Sequence, residues 1–232
     1  IGMVSREPDP AELARSVTAL PVLHDGVFPV VSEKHPGLPI LLRQGLKKTA
    51  WIGLYVTGDL KTWETVAAGA GDKPVNLYTR SDSCGAAASW AKFLDRKQED
   101  LNGVGVYGDP GILQAVSQDP LGVGYSNFGY VFTRQGLTLA GIRLVPLDRN
   151  ANGTADPDEI FADRAQAVKA ILDGTYPVAR KNFFFFKGPP AGLAKAFLLF
   201  VLSEPGTAVV DRVGASLPLP PEEREKMRAT IK

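Results

Sequence analysis

The chain has 232 residues, with 44% hydrophobic and 22% charged side chains, a composition that supports a packed core and argues against intrinsic disorder. Its net charge of +1 gives no bulk attraction for nucleic acid or anionic membranes, so any anion must be held by local chemistry. The single cysteine, Cys84, excludes an intrachain disulfide and the Cys-rich zinc classes.

The first residues, Ile1 to Arg6, read as an apolar strand end turning into a loop, with further residues expected upstream. Asp9-Pro10 followed by Ala-Glu-Leu-Ala predicts an N-capped helix ending before Pro21. Gly26 to Ser32 is β-rich, and Leu38 to Leu46 suits a strand or a short helix. Pro74 to Thr79 reads as a strand running through the loop Arg80–Gly85 into a helix, Ala86 to Leu94, with Ala87, Trp90, Ala91 and Leu94 at helical spacing. A second helix is expected over Gly111 to Gln118, a strand region over Gly122 to Phe132, and a strand over Ile142 to Val145. Asp158 to Leu172 predicts a helix closed by Gly174. The run Phe183 to Phe186 suggests a strand covered on both faces, as in a parallel sheet. Leu193 to Leu202 reads as a buried helix. Ala196 to Leu202, the longest strongly apolar stretch, falls far short of the about 20 residues that cross a membrane. The last element is a charged helix around Glu222 to Arg228. Strands alternating with helices place the chain in the α/β class.

Three stretches carry chemistry. The strand–loop–helix at Tyr78 to Leu94 puts a helix start, with unpaired N–H groups and a positive dipole end, beside Arg80, Asp82 and Gly85. Ser81 and Ser83 add hydroxyl donors, Cys84 a weaker thiol, and Asp82 can orient the Arg80 fork toward a phosphate or carboxylate. An ordinary N-cap is the simpler use of the same residues. The second stretch, Asp148 to Glu159, fits the calcium-loop pattern D-x-[DN]-x-[DN]-G-x5-E. Asp148, Asn150, Asn152, Asp156 and Glu159 would supply side-chain oxygens and Thr154 its carbonyl, for a structural Ca2+. The same residues also suit a polar turn with a capping box, Asp156 to Glu159 around Pro157. Third, Cys84 at a helix start is a conceivable nucleophile. Neither His24 nor His35 sits in a pairing motif, and Gly124-x-Ser126 lacks the nucleophile-elbow spacing, so the chain does not read as an enzyme. Trp51, Trp63 and Trp90 are expected in the core.

Several of these segments together resemble the periplasmic phosphate-binding component of bacterial and archaeal ABC importers. Ile1-Gly2-Met3-Val4-Ser5-Arg6-Glu7 is similar to that family's IGMSSRE segment, Gly58 to Trp63 to its G-x-I-x-x-W turn, and Arg80 to Ala86 to its R-x-D-x-S-G-T loop. Gly122 to Tyr125, Tyr176 to Arg180 and Phe200 to Gly206 resemble x-I-G-Y, YP-x-x-R and F-V-L-S-x-x-G, in the same order along the chain.

The resemblance implies an α/β, two-lobed class II periplasmic-binding-protein-like fold with one lobe incomplete at the N-terminus. One lobe would hold residues 1–32 and 133–232 and the other residues 33–132. It places Arg80, Asp82 and Gly85 on the family's phosphate-gripping positions. Cys84 stands in place of a serine and Ala86 in place of a threonine, with Ser83 offering one hydroxyl in return. Ser5 faces them from the other lobe, and Arg6 stands where the family often carries a carboxylate that reads the proton on phosphate. The implied protein is a periplasmic or extracellular monomer that delivers phosphate or a similar oxyanion to an ABC permease, with no nucleic-acid partner. A membrane anchor through the upstream segment fits the same picture. The alternative is a secreted relative without transport function, a sensory or calcium-stabilised module with a drifted pocket. Two expectations follow: the Arg80–Gly85 loop faces an open cleft, and this chain alone, without the family's N-terminal gripping loop, binds phosphate weakly if at all, while the complete protein binds it well.

Overall fold

A computed structural model describes residues 1–231 of the chain. Ten strands form in chain order: β1 Gly2–Val4, β2 Val17–Ser32, β3 Leu46–Lys47, β4 Asn76–Arg80, β5 Val104–Val106, β6 Gly122–Asn127, β7 Ile142–Leu144, β8 Leu147–Asp148, β9 Ala179–Lys187 and β10 Leu217–Pro218. Eight of them make one sheet in the order β1-β9-β2-β6-β4-β5, with β7 and β10 also pairing with β2, while β3 and β8 form a separate parallel pair.

The 16-residue β2 organises the molecule. Its first part runs antiparallel to β9, from Val17 opposite Lys187 to Gly26 opposite Ala179. Its second part pairs with β6, from Val27 opposite Asn127 to Val31 opposite Val123, and with β7. Pro21 is tolerated mid-strand because the register shifts between Pro21 and Leu23, so its missing N–H falls at an irregularity. The helix ahead of it is shorter than expected, Pro10–Ala14. Asp9 caps it as the sequence indicates, and Glu12 completes a capping box, but Ser16 turns left-handed (φ 59°) and releases the chain into β2.

Two apolar cores lie along β2. The larger joins Val27, Phe28, Val30 and Val31 to Trp51, Trp63, Trp90, Tyr125, Ile142, Ile171, Tyr176 and Val178. All three tryptophans are fully buried, and the Trp90 ring stacks on Tyr125 at 5.5 Å. The smaller holds only Leu20, Val22, Leu198, Leu202, Leu219 and Ile231. Residues 142–178 thus pack with the larger core rather than with the C-terminal portion, and the chain changes core at β9 instead of near residue 133.

Other departures have local causes. The strand from Gly122 stops at Asn127, and Phe128–Val131 coils into one helical turn so that Phe128 and Val131 enter the larger core. The helix expected from Asp158 begins at Arg164, where Asp163 caps it by accepting from Gln166 N at 2.9 Å. Gly174 (φ 70°) closes that helix as its sequence position suggests. The strand holding Phe183 to Phe186 is antiparallel to both neighbours, β1 and β2, not part of a parallel sheet. The Gly192–Val201 helix is not buried: only Leu198 is, while Leu193 is 90% exposed and Phe197 and Phe200 about half exposed. The smaller core covers just one of its faces.

Candidate functional site

Strand β4 is inserted between the parallel neighbours β5 and β6, and Arg80 is its last residue. The chain then loops into the Gly85–Phe93 helix, whose N-cap is Cys84, with its Sγ 3.5 Å from Ala87 N. Gln98 braces the loop from the far end of that helix. Its amide oxygen accepts from Cys84 N at 3.2 Å, and its amide nitrogen donates to Asp82 O at 2.7 Å.

Arg80 and Asp82 form a side-on fork: Nε donates to one carboxylate oxygen at 2.8 Å and Nη2 to the other at 2.5 Å. Gly108 N adds a bond to the same carboxylate at 3.1 Å. These donors, Arg80 foremost, hold the Asp82 carboxyl down at about 2. The third donor used is Nη1, at 2.7 Å from Asp109 Oδ2. Asp109 is in turn held by Ser126 Oγ and Asn127 N, both at 2.8 Å, and by Asn127 Nδ2 at 3.1 Å. A guanidinium has five N–H donors, so one on each Nη remains. The amides of Gly85 and Ala86, first in the helix, have no partner within it.

The loop does not face an open cleft, contrary to expectation. The Arg80 side chain is only 6% exposed and is held by two carboxylates. Ser5 lies directly on the helix start: a Cβ added to Gly85 would meet Ser5 Cβ and Ser5 O at 2.4 Å each. Ser5, Arg80, Asp82, Cys84 and Gly85 are therefore brought together, but in a closed arrangement. Ser83 and Ser81 point to solvent, and Ala86 is buried in the core, so it offers only its amide. Burial pushes the Cys84 thiol up, away from the thiolate a nucleophile needs. His24 bonds Glu223 and His35 accepts from Gly37 N; neither bonds Cys84. Arg6 turns away from the loop into a fork with Glu12, at 2.9 and 2.8 Å.

Sequence reasoning missed Asp109, Ser126, Asn127 and Gln98. It also missed the buried pair Asp25–Arg180, joined at 2.7 Å across β2 and β9, whose arginine reaches Asn127 Oδ1 at 2.5 Å. A polar chain thus runs Asp82–Arg80–Asp109–Asn127–Arg180–Asp25. Its one legible signal was an acidic residue, Asp109, in a Gly-Asp-Pro-Gly helix start. Beside it, a cavity of about 370 Å³ lined by Arg6, Lys48, Ser89, Lys92 and Arg180 follows the flank of the Gly85–Phe93 helix.

The Asp148–Glu159 loop satisfies its own groups. Asp148 accepts from Asn152 N at 3.1 Å and Gly153 N at 2.9 Å. Glu159 accepts from Arg149 N at 2.7 Å and Asp156 N at 3.1 Å. Asn150 and Asn152 donate their amides to Asp156, and Thr154 N bonds Asn152 Oδ1 at 2.8 Å. Among the described residues no three or more His, Cys, Asp or Glu side chains converge as a metal site. Glu159, the intended closing ligand, is drawn onto backbone N–H groups instead, and the polar-turn reading describes this conformation.

A family model described as a PBP superfamily domain matches residues 1–205. The chain belongs to the PBP superfamily. Among curated members, the phosphate-binding protein PstS of Pseudomonas aeruginosa is 29% identical over 176 residues, covering 72% of this chain and 49% of the relative. PstS of Bacillus subtilis is 25% identical over 150 residues, 64% of this chain and 42% of the relative. The chain thus spans about half the length of the curated relatives it matches. In three dimensions it is similar to an ABC-type phosphate transport receptor from Vibrio cholerae, with a TM-score of 0.71 and 20% identity, over 94% of this chain and 79% of that one. That likeness establishes the fold: the α/β architecture is that of two-lobed periplasmic binding proteins, with β2 and β9 crossing between the two cores.

Proposed function

We propose that this PBP superfamily chain forms the phosphate-holding part of an extracytoplasmic solute-binding protein that delivers its ligand to an ABC permease. The observation that carries the reading is the Arg80–Asp82 fork at 2.8 and 2.5 Å, set at the start of the Gly85–Phe93 helix. The fork fixes the guanidinium plane, two N–H donors remain once Asp109 is also bonded, and these stand beside two helix amides without intrahelical partners, a donor set suited to a tetrahedral oxyanion. The PstS relatives are named for phosphate binding, which supports phosphate as the ligand. Ser5, lying over Gly85, is the group that moves aside or shares the site when an anion enters. Calorimetry with phosphate and sulfate, on the wild type and Arg80→Ala, tests this. Binding that Arg80→Ala weakens at least tenfold supports it; binding indifferent to Arg80 refutes it.

A second reading, a non-transport relative with an altered pocket, draws on Asp109 occupying Arg80 and on Ala86 lying in the core. It predicts no phosphate binding by the wild type. The Ca2+ proposal stands apart and rests on the sequence pattern alone. Occupancy would require Glu159 to release Arg149 N and Asp156 N. Thermal melts with calcium and with chelator test it: a calcium-dependent rise supports a bound ion by mass action, and an unchanged midpoint refutes one.

A further inference from the structure

Two carboxylates converge on one guanidinium. Asp82 orients Arg80 by the side-on fork, but Asp109 does something different: it accepts a hydrogen bond from Nη1, one of the two nitrogens at the open end of the guanidinium, at 2.7 Å. The Arg80 and Asp109 side chains are 6% and 8% exposed, so water does little to screen the pair. The cluster carries one positive and two negative charges, a net −1 where an anion has to settle. Asp109 is also fixed in place. Ser126 Oγ, Asn127 N and Asn127 Nδ2 fill its remaining acceptor sites, at 2.8, 2.8 and 3.1 Å, so it cannot swing away or take a proton from a ligand without breaking one of these bonds.

We infer that Asp109 is a specificity-determining residue that acts as a resident counter-anion for Arg80 and biases the site toward singly charged oxyanions over doubly charged ones. This rests on the reading of the Arg80 loop as an anion site. Coulomb repulsion from a fixed carboxylate scales with ligand charge, so its effect on a dianion's free energy is twice that on a monoanion of the same shape. In affinities, the factor for the dianion is the square of the factor for the monoanion. Asp109→Asn keeps Oδ1 as acceptor for Ser126 and Asn127 N and removes the charge; its amide nitrogen, in place of Oδ2, faces the donors Arg80 Nη1 and Asn127 Nδ2, which frees Nη1 at the cost of the Asn127 Nδ2 bond.

Methylphosphonate and methanesulfonate have the same tetrahedral outline. At alkaline pH the first carries two negative charges and the second one. Calorimetry should show Asp109→Asn raising affinity about threefold for methanesulfonate and about tenfold for methylphosphonate. Asp109→Ser, which also removes the charge and keeps a hydroxyl acceptor for Asn127, gives the same ordering and serves if the asparagine variant does not fold. Equal gains for both anions, or none, with Arg80→Ala still weakening phosphate binding, would overturn the role of Asp109 and leave the anion site standing. Phosphate binding indifferent to Arg80→Ala would overturn both.

Discussion

Replacing Asp25 by Ala should be among the most destabilising single changes in this protein. Asp25 and Arg180 face each other across β2 and β9, where the chain passes between its two cores. Their side chains are both 6% exposed and are joined at 2.7 Å. Without Asp25, the Arg180 guanidinium keeps two neutral acceptors, Ser89 Oγ at 3.0 Å and Asn127 Oδ1 at 2.5 Å, but no counter-charge, and its Nε is already without a partner. Stranding one member of a buried pair costs about 3–5 kcal/mol. At roughly 2–4 °C per kcal/mol for a chain of this size, the midpoint should fall by about 6–20 °C. Urea denaturation of Asp25→Ala, Arg180→Met and the variant combining these two substitutions completes a double-mutant cycle. The double variant removes both charges together and should lose much less than the sum of the singles. An Asp25→Ala cost under about 1 kcal/mol, or an additive cycle, would refute the claim that this pair is dry and mutually dependent.

Gly85→Ala drives a methyl group to 2.4 Å from Ser5 and should cost about 1–3 kcal/mol in urea melts while loosening the Ser5 segment; unchanged stability would mean that Ser5 does not pack there. His35 gives a pH signature. It is buried against the Trp63 edge at 4.3 Å, and burial lowers its value to about 4 from an ordinary 6.5. The unfolded chain therefore binds the proton first, so the His35 contribution is intact above 6.5, declines as pH falls, and is lost by about 4. His35→Gln should flatten the pH–stability profile in that window, and a profile with the same slope would contradict the assignment.

The sequence exposed local devices better than long-range ones. Asp9 with Pro10, the loop from Arg80 into its helix, Gly174 as a stop, and three core tryptophans are all set by neighbours within a few residues. β2 was only half legible because Pro21 reads as a break, yet the bulge that accommodates it is a property of the β2–β9 pairing. The four phenylalanines of β9 imitate a parallel core strand, yet only Phe183 is buried and Phe184 to Phe186 are half-buried, on an antiparallel strand one in from the sheet edge. The Gly192–Val201 helix misled by composition: apolarity shows what could be buried, not whether a partner is present. At the site, Arg80, Asp82 and Gly85 stood out through spacing. Asp109, 29 residues further on, reaches Arg80 only because β5 and the helix after it fold back over the loop.

The central claim is that Arg80 holds an oxyanion at the start of the Gly85–Phe93 helix. Titrating inorganic phosphate into the wild type and Arg80→Ala by calorimetry, with both confirmed as folded by thermal melting, addresses it most directly. The account predicts saturable, one-site binding to the wild type, weakened at least tenfold by the substitution, about 1.4 kcal/mol or more. Equal binding by the two proteins would contradict it.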